Sequence, residues 1–164
     1  IGYSQAVGDE KPALQISNAF TKILVHKLRS EYDAILVGRN TEETEHPCLT
    51  VREWNGKNPQ KIVLSSTYKS NGFVDGVLYV NSLQQLIETI NQRNNTEPKI
   101  CSLIVEGGAR TLQSFIDAGL WDEIRVETAP FTINDGVAAP HLPHNIAVVK
   151  KEFYGNTIFT YKRL

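Results

Sequence analysis

The chain of 164 residues predicts an α/β layered domain with a mixed sheet, and three observations carry that expectation. Short apolar runs alternate with helical stripes from Ser17 to Gly119. Strand-rich sequence then closes the chain around a turn signal at Gly155-Asn156. No internal repeat, low-complexity tract or interdomain linker interrupts the series. Alternation of the first kind favours a sheet covered by helices, and the ending favours antiparallel pairing. Residues 1–164 are therefore expected to form one domain around a single core.

Taken in order, the chain opens on Ile1-Gly2-Tyr3-Ser4 without Met. That reads as the tail of a strand, so a piece of a longer protein with a truncated first strand is expected. Residues 5–15 lack periodicity and read as loop. Ser17 is the expected N-cap of a helix running to Arg29 or Ser30, with Phe20, Ile23, Leu24 and Leu28 as its apolar stripe. Asp33–Gly38 reads as a buried strand and Arg39–Pro47 as a polar segment. Leu49–Arg52 is short, extended or irregular, and Trp54–Pro59 is a turn-rich connection. Lys61–Ser65 and Val77–Val80 read as strands. Ser82-Leu83-Gln84-Gln85 matches a capping box that opens a helix, which Asn94–Pro98 ends.

Ile100–Val105 is a further apolar strand, followed by Glu106-Gly107-Gly108 and a helix with Leu112, Phe115 and Ile116 on one face. Gly119 sits where that helix would stop. Asp122–Pro130 alternates as a strand does, and residues 131–144 read as loop with a turn at Asn134-Asp135-Gly136. Val148–Tyr154 and Thr157–Tyr161 flank the hairpin turn.

The composition is 41% hydrophobic and 21% charged, ordinary for a globular protein. A formal net charge of −1 offers no electrostatic footprint for nucleic acid or an anionic membrane. Cys48 and Cys101 read as buried thiols of a reducing cytoplasm rather than a disulfide framework. No apolar run approaches membrane-spanning length, and no signal peptide opens the chain.

The chemistry concentrates where a strand meets a helix. A carboxylate, Glu106, and two glycines between them suit an anion, because the backbone can approach a ligand closely and the helix N-terminus presents N–H groups. A tight turn with a solvated Glu is the ordinary alternative. Arg29 and Arg52 near loops are what a phosphorylated substrate needs, since guanidinium binds phosphate through two bonds; each also suits a helix end or an edge. Thr41–Glu45 suits a solvated acidic loop. His26 and His46 stand alone and support no triad, and His141 and His144 on a Pro-containing loop read as surface residues rather than metal ligands. No dinucleotide fingerprint, phosphate-binding P-loop or nucleophile elbow is present.

Together, Val25–Arg29, Asp33–Gly38, Asn40-Thr41, Pro47, Leu49–Arg52, Val105–Gly108, Leu120–Glu123 and Ala129-Pro130 resemble one family. It is the C-terminal reductase domain of the bifunctional riboflavin biosynthesis protein RibD. The resemblance implies a dihydrofolate-reductase-like, three-layer α/β/α fold with a mostly parallel mixed sheet and an antiparallel C-terminal hairpin. It also implies NADPH-dependent reduction of 5-amino-6-(5-phosphoribosylamino)uracil to the ribitylamino compound, by hydride delivery to the sugar C1′.

On the matching positions, Arg29, Arg52, Leu49 and Glu106 are substrate contacts. Glu106 is also the one candidate catalytic group, though the motif does not settle whether it moves a proton. Thr41, Glu45, Gly107, Gly108, Ala109 and Thr111 are cofactor contacts, the last four around the diphosphate. Arg39 or Arg110 is the guess for a cofactor 2′-phosphate. The resemblance further implies a cytoplasmic homodimer, with a deaminase domain in the same full-length chain or in a separate protein.

Two departures stand out. Glu45-His46-Pro47 replaces the family's Asp-Asp-Pro or Asp-Asn-Pro, and Ala13-Leu14-Gln15-Ile16-Ser17 replaces Ser-x-Trp-Ile-Ser. They motivate the reading of a nucleotide-binding domain without turnover; a related reductase of another pterin or pyrimidine is a further alternative, against which the pairing of Arg29 and Arg52 counts.

Overall fold

The structure, a computed structural model, describes residues 15–67, 72–93, 99–133 and 136–164. The truncated first strand, the loop over residues 5–14, the departure at Ala13, the helix end at Asn94–Pro98 and the turn residues Asn134 and Asp135 lie outside them. The chain divides into two compact units, one of Ile23–Leu112 and one of Gln113–Leu164 with the residues up to Lys22.

In the first unit, the mostly parallel sheet is built on β1 (Ala34–Gly38). Its partners are β2 (Gln60–Leu64) and β5 (Leu103–Val105), both parallel to it. Beyond β2 lies parallel β4 (Val77–Val80), then antiparallel β3 (Gly72–Val74), giving the order β3-β4-β2-β1-β5. Every residue of β1 is buried, as its continuous Ala-Ile-Leu-Val run requires when both faces of a parallel strand are covered. Ile35, Val37, Leu49 and Val63 form a core cluster, with Val77, Tyr79 and Ile104 packed against it. Each such side chain contributes about 1.5–3 kcal/mol on leaving water.

Among the helices, α1 (Ala19–Ser30) begins one residue later than expected. Its cap is Asn18, whose Oδ1 accepts the Thr21 N–H at 2.9 Å, and not Ser17. The Ser17 hydroxyl instead donates to Glu127 Oε2 at 2.8 Å. The supposed polar segment after β1 is helical, as α2 (Arg39–Glu45). It shows no apolar period because Thr41 is its one buried residue. Charge replaces apolar contact: Lys61 on β2 reaches Glu42 at 2.8 Å, and Arg39 Nε lies 3.4 Å from Glu43. Helix α3 (Leu83–Arg93) has its capping box, Ser82 Oγ accepting the Gln85 N–H at 3.1 Å. The return bond goes one residue further, from the Asn81 N–H to Gln85 Oε1 at 2.6 Å.

Strand β5 is shorter than the apolar run that announces it. Asp33 Oδ2 accepts the N–H groups of Cys101 and Ser102, at 2.8 and 2.9 Å, so the chain enters the sheet only at Leu103. Cys101 consequently faces solvent, and Cys48 on a loop does too, which corrects the expectation of buried thiols. The hairpin into β4 turns on Asp75 and Gly76, both at positive φ, a dipeptide signal that the sequence reading passed over.

Helix α4 (Ala109–Asp117) stops as expected at Gly119. Gly119 has a φ of 67°, its N–H donates to Ile116 O, and the Leu120 N–H donates to Phe115 O, a Schellman ending.

In the second unit, β6 (Glu123–Thr128), β7 (Ile146–Tyr154) and β8 (Asn156–Arg163) form an antiparallel sheet with β8 central. Tyr154 pairs with Asn156, so the turn is Gly155 alone at a φ of 80°. Asn156, expected in the turn, is instead a buried strand residue. Its Nδ2 donates to Ile16 O and Glu127 Oε1.

Candidate active site

Strand β1 has β2 on one side and β5 on the other. The chain leaves β1 towards β2 and returns later to β5, so the strand order reverses beside β1. In open parallel sheets a ligand crevice forms at the carboxyl ends of strands at such a point. Gly38 ends β1 there, and Glu106-Gly107-Gly108 follows β5, its register held by the Glu106 N–H to Leu36 O at 3.0 Å.

The glycines are fixed by close approach. A Cβ on Gly107 would lie 2.6 Å from Val37 Cγ1. One on Gly108, at a φ of 69°, would meet Thr41 Oγ1 at 3.2 Å and Thr111 Oγ1 at 3.7 Å. A Cβ on Gly38 would collide with Thr111 Oγ1. The turn therefore lies directly on the end of β1, with two threonine hydroxyls around Gly108 and the first N–H groups of α4, from Ala109 onward, beside them. Hydroxyl and N–H donors gathered around Gly108 suit a diphosphate. By that test, the residues present fit the nicotinamide dinucleotide that the resemblance implies.

Glu106 is not solvated at this end. Arg29, from the last turn of α1, grips it through two bonds, Nε to Oε1 at 2.8 Å and Nη2 to Oε2 at 2.6 Å. The two side chains are only 13% and 16% exposed. Such two-point pairs are strong and directional. Arg29 Nη1 also donates to Thr50 O at 3.4 Å. Of the five guanidinium N–H groups, these bonds leave two.

The segment between α2 and β2 passes beside the pair. His46 caps α2 at a φ of 42°, its N–H donating to Glu42 O. Leu49 has a φ of 52° although it is not glycine, a strained conformation for a bulky residue. Its side chain fills the core cluster and is 5% exposed, so Leu49 offers the site its main chain. Lys61 adds a second tether, donating to Pro47 O at 3.0 Å while paired with Glu42. Arg52 follows with its side chain exposed, and its N–H donates to His26 Nδ1 at 3.1 Å.

The remaining expected residues sit as follows. Glu45 is the last residue of α2, and partial burial pushes its carboxyl above the usual range. Arg39 opens α2 and donates to the Thr67 hydroxyl past the end of β2. Arg110 is exposed in the first turn of α4. The structure thus brings together Arg29 with Glu106, and Thr41, Gly107, Gly108 and Thr111 around one turn. Sequence reasoning set His26 aside as a lone histidine and gave Lys61 and Asn58 no role beyond their strand and turn. His26 was legible, because it lies one helical turn before Arg29 and so shares its face. Lys61 and Asn58 carried no local signal.

Comparison with known proteins adds a family. Residues 2–150 match the RibD C-terminal domain. A riboflavin biosynthesis protein RibD of Aquifex aeolicus is 30% identical over 149 residues, 75% of this chain and 42% of that protein. A second Aquifex aeolicus protein, a 2,5-diamino-6-ribosylamino-4(3H)-pyrimidinone 5′-phosphate reductase, is 28% identical over 162 residues, 80% of this chain and 70% of that protein. A crystal structure from Thermotoga maritima shares the fold at a TM-score of 0.70, with 21% identity over 90% of this chain and 50% of that one. That protein is a diaminohydroxyphosphoribosylaminopyrimidine deaminase/5-amino-6-(5-phosphoribosylamino)uracil reductase. This chain therefore spans about half the length, or less, of the bifunctional relatives it matches.

Proposed function

Because the chain belongs to the RibD C-terminal domain family, we propose that it is an NADPH-dependent reductase of riboflavin biosynthesis. Its proposed substrate is 5-amino-6-(5-phosphoribosylamino)uracil, reduced at the ribosyl C1′ to the ribitylamino product. The observation that carries the reading is the Arg29–Glu106 pair at the carboxyl end of β5, with the Arg52 segment beside it.

The bound nicotinamide would supply the hydride, and the protein positions the reactants. Thr41, Gly107, Gly108, Ala109 and Thr111 would hold the cofactor diphosphate, and Glu45 a further part of the cofactor. Arg52, with its exposed guanidinium, would take most of the substrate phosphate. Arg29 contributes its two remaining N–H groups there while it fixes Glu106. Both Glu106 oxygens already accept N–H bonds, so further hydrogen bonds from sugar hydroxyls would orient the opened ribose. Glu106 is an anchor in this account, and solvent or a substrate group supplies the proton. We further propose a cytoplasmic homodimer with the deaminase step carried by the same full-length chain or by a separate protein.

A second reading keeps the chemistry and changes the ring. The Aquifex aeolicus relative reduces, by its name, the diaminopyrimidinone rather than the aminouracil. Turnover of both compounds with NADPH and NADH, followed by oxidation of the reduced nicotinamide, tests the proposal. Preference for the aminouracil and NADPH is expected. Cofactor binding without turnover of either ring would sink the enzyme reading.

A further inference from the structure

Leu49–Arg52 forms no regular strand, so its main chain needs partners from elsewhere. Three side chains provide them. Arg29 donates to Thr50 O, Asn58 Oδ1 accepts the Val51 N–H at 2.8 Å, and His26 Nδ1 accepts the Arg52 N–H at 3.1 Å. Each holds a different group, so none substitutes for another. His26 and Arg29 stand one helical turn apart on α1, which makes that helix the backing of the whole segment.

His26 differs from its two companions in being able to change sign of action. A main-chain N–H is always a donor, so it can bond Nδ1 only while that nitrogen carries no proton. The neutral ring then holds its proton on Nε2. An imidazolium would set one N–H against another at a residue only 6% exposed, where water cannot easily step in. The charged groups on the elements meeting here are Lys22, Lys27 and Arg29 on α1, with Lys27 turned to Glu31 and Trp54, Arg52 and Glu53 on the segment, and Glu106, already paired with Arg29.

We infer that His26 is a positioning residue for the substrate phosphate. Through the main chain of Arg52 it fixes where that guanidinium starts, and it does so only as a neutral ring. The inference rests on the reading of Arg52 as a phosphate ligand. Its consequence is a grip on phosphorylated substrate that depends on the Nδ1 acceptor.

The test uses ribose 5-phosphate, the sugar-phosphate half of the substrate, and ribose as its uncharged control. Binding is measured calorimetrically at neutral pH on the wild type, His26→Ala, His26→Asn and Arg52→Ala. Asn offers an acceptor oxygen at the reach of Nδ1, whereas Ala offers none. Expected is a loss of about tenfold in ribose 5-phosphate affinity for His26→Ala, which His26→Asn restores, with ribose unaffected. In turnover the same contrast should appear in KM and not in kcat. Unchanged affinity in His26→Ala, or equal losses in His26→Ala and His26→Asn, would overturn the inference. Arg52→Ala separates the two ideas, because unchanged ribose 5-phosphate binding in that variant defeats the phosphate reading itself.

Discussion

The two ends of one strand pair, β1 and β5, each hold a carboxylate, and they use it differently. At the amino end, Asp33 is exposed and takes the N–H groups of Cys101 and Ser102 and the Ser102 hydroxyl, the last at 2.9 Å. Its own N–H returns to Ser102 Oγ at 2.9 Å. At the carboxyl end, Glu106 is mostly buried and takes a guanidinium delivered by α1. The first carboxylate ties two chain segments together and stops there. The second is fixed by a mobile type of side chain held in place, and it borders the glycine turn. A carboxylate used by neighbouring main chain ties the sheet together, whereas one held by a distant charge beside a glycine turn is the one proposed to meet substrate.

The largest effects should come from breaking the second arrangement. Arg29→Met leaves Glu106 without its partner and should lower stability by about 3 kcal/mol, read by chemical denaturation. Arg29→Met combined with Glu106→Met removes both charges and should restore most of that stability while turnover stays lost. Recovery of turnover in the double variant would contradict a site at this end.

Gly107→Ala comes next. Its Cβ would press on Val37 inside the core, so a loss of about 1–3 kcal/mol and weaker NADPH binding by thermal shift are expected.

The smallest effect belongs to the amino end. Hydrogen bonds from the Cys101 main chain, and then from the Ser102 side chain, hold the Asp33 carboxyl below its ordinary value of 3.8. A carboxylate whose folded value is depressed stabilises the protein above that ordinary value. The stabilisation drains away as pH falls through the folded value. Asp33→Asn should therefore flatten the acid limb of the stability profile, visible below about pH 4, with turnover unchanged at neutral pH.

Much of this was legible in the sequence. The continuous apolar run Ala34–Val37 and the Gly107-Gly108 turn announced the sheet centre and the close turn at its carboxyl edge. Leu112, Phe115 and Gly119 announced α4 and its end. Other features had no local signature. Helix α2 is held by Lys61, a residue of another strand, so its own sequence reads as a polar loop. The exposure of Cys101 depends on Asp33 withholding two N–H groups from the sheet. The Arg29–Glu106 pair joins residues 77 positions apart, so spacing alone could nominate both residues but not join them.

NADPH-dependent turnover of the phosphoribosylaminouracil by two matched variants, Glu106→Gln and Asp33→Asn, sets the two ends of the strand pair against each other. Each exchanges one carboxylate for an amide at opposite ends of the same strands. A substrate anchor at Glu106 requires a loss of kcat/KM of about 100-fold or more for Glu106→Gln, the scale of a mispositioned reactant. Asp33→Asn should stay within about twofold of wild type, since its partners are Cys101 and Ser102 at the amino end of the strands. Equal losses in both variants, or full turnover in Glu106→Gln, would contradict that anchor.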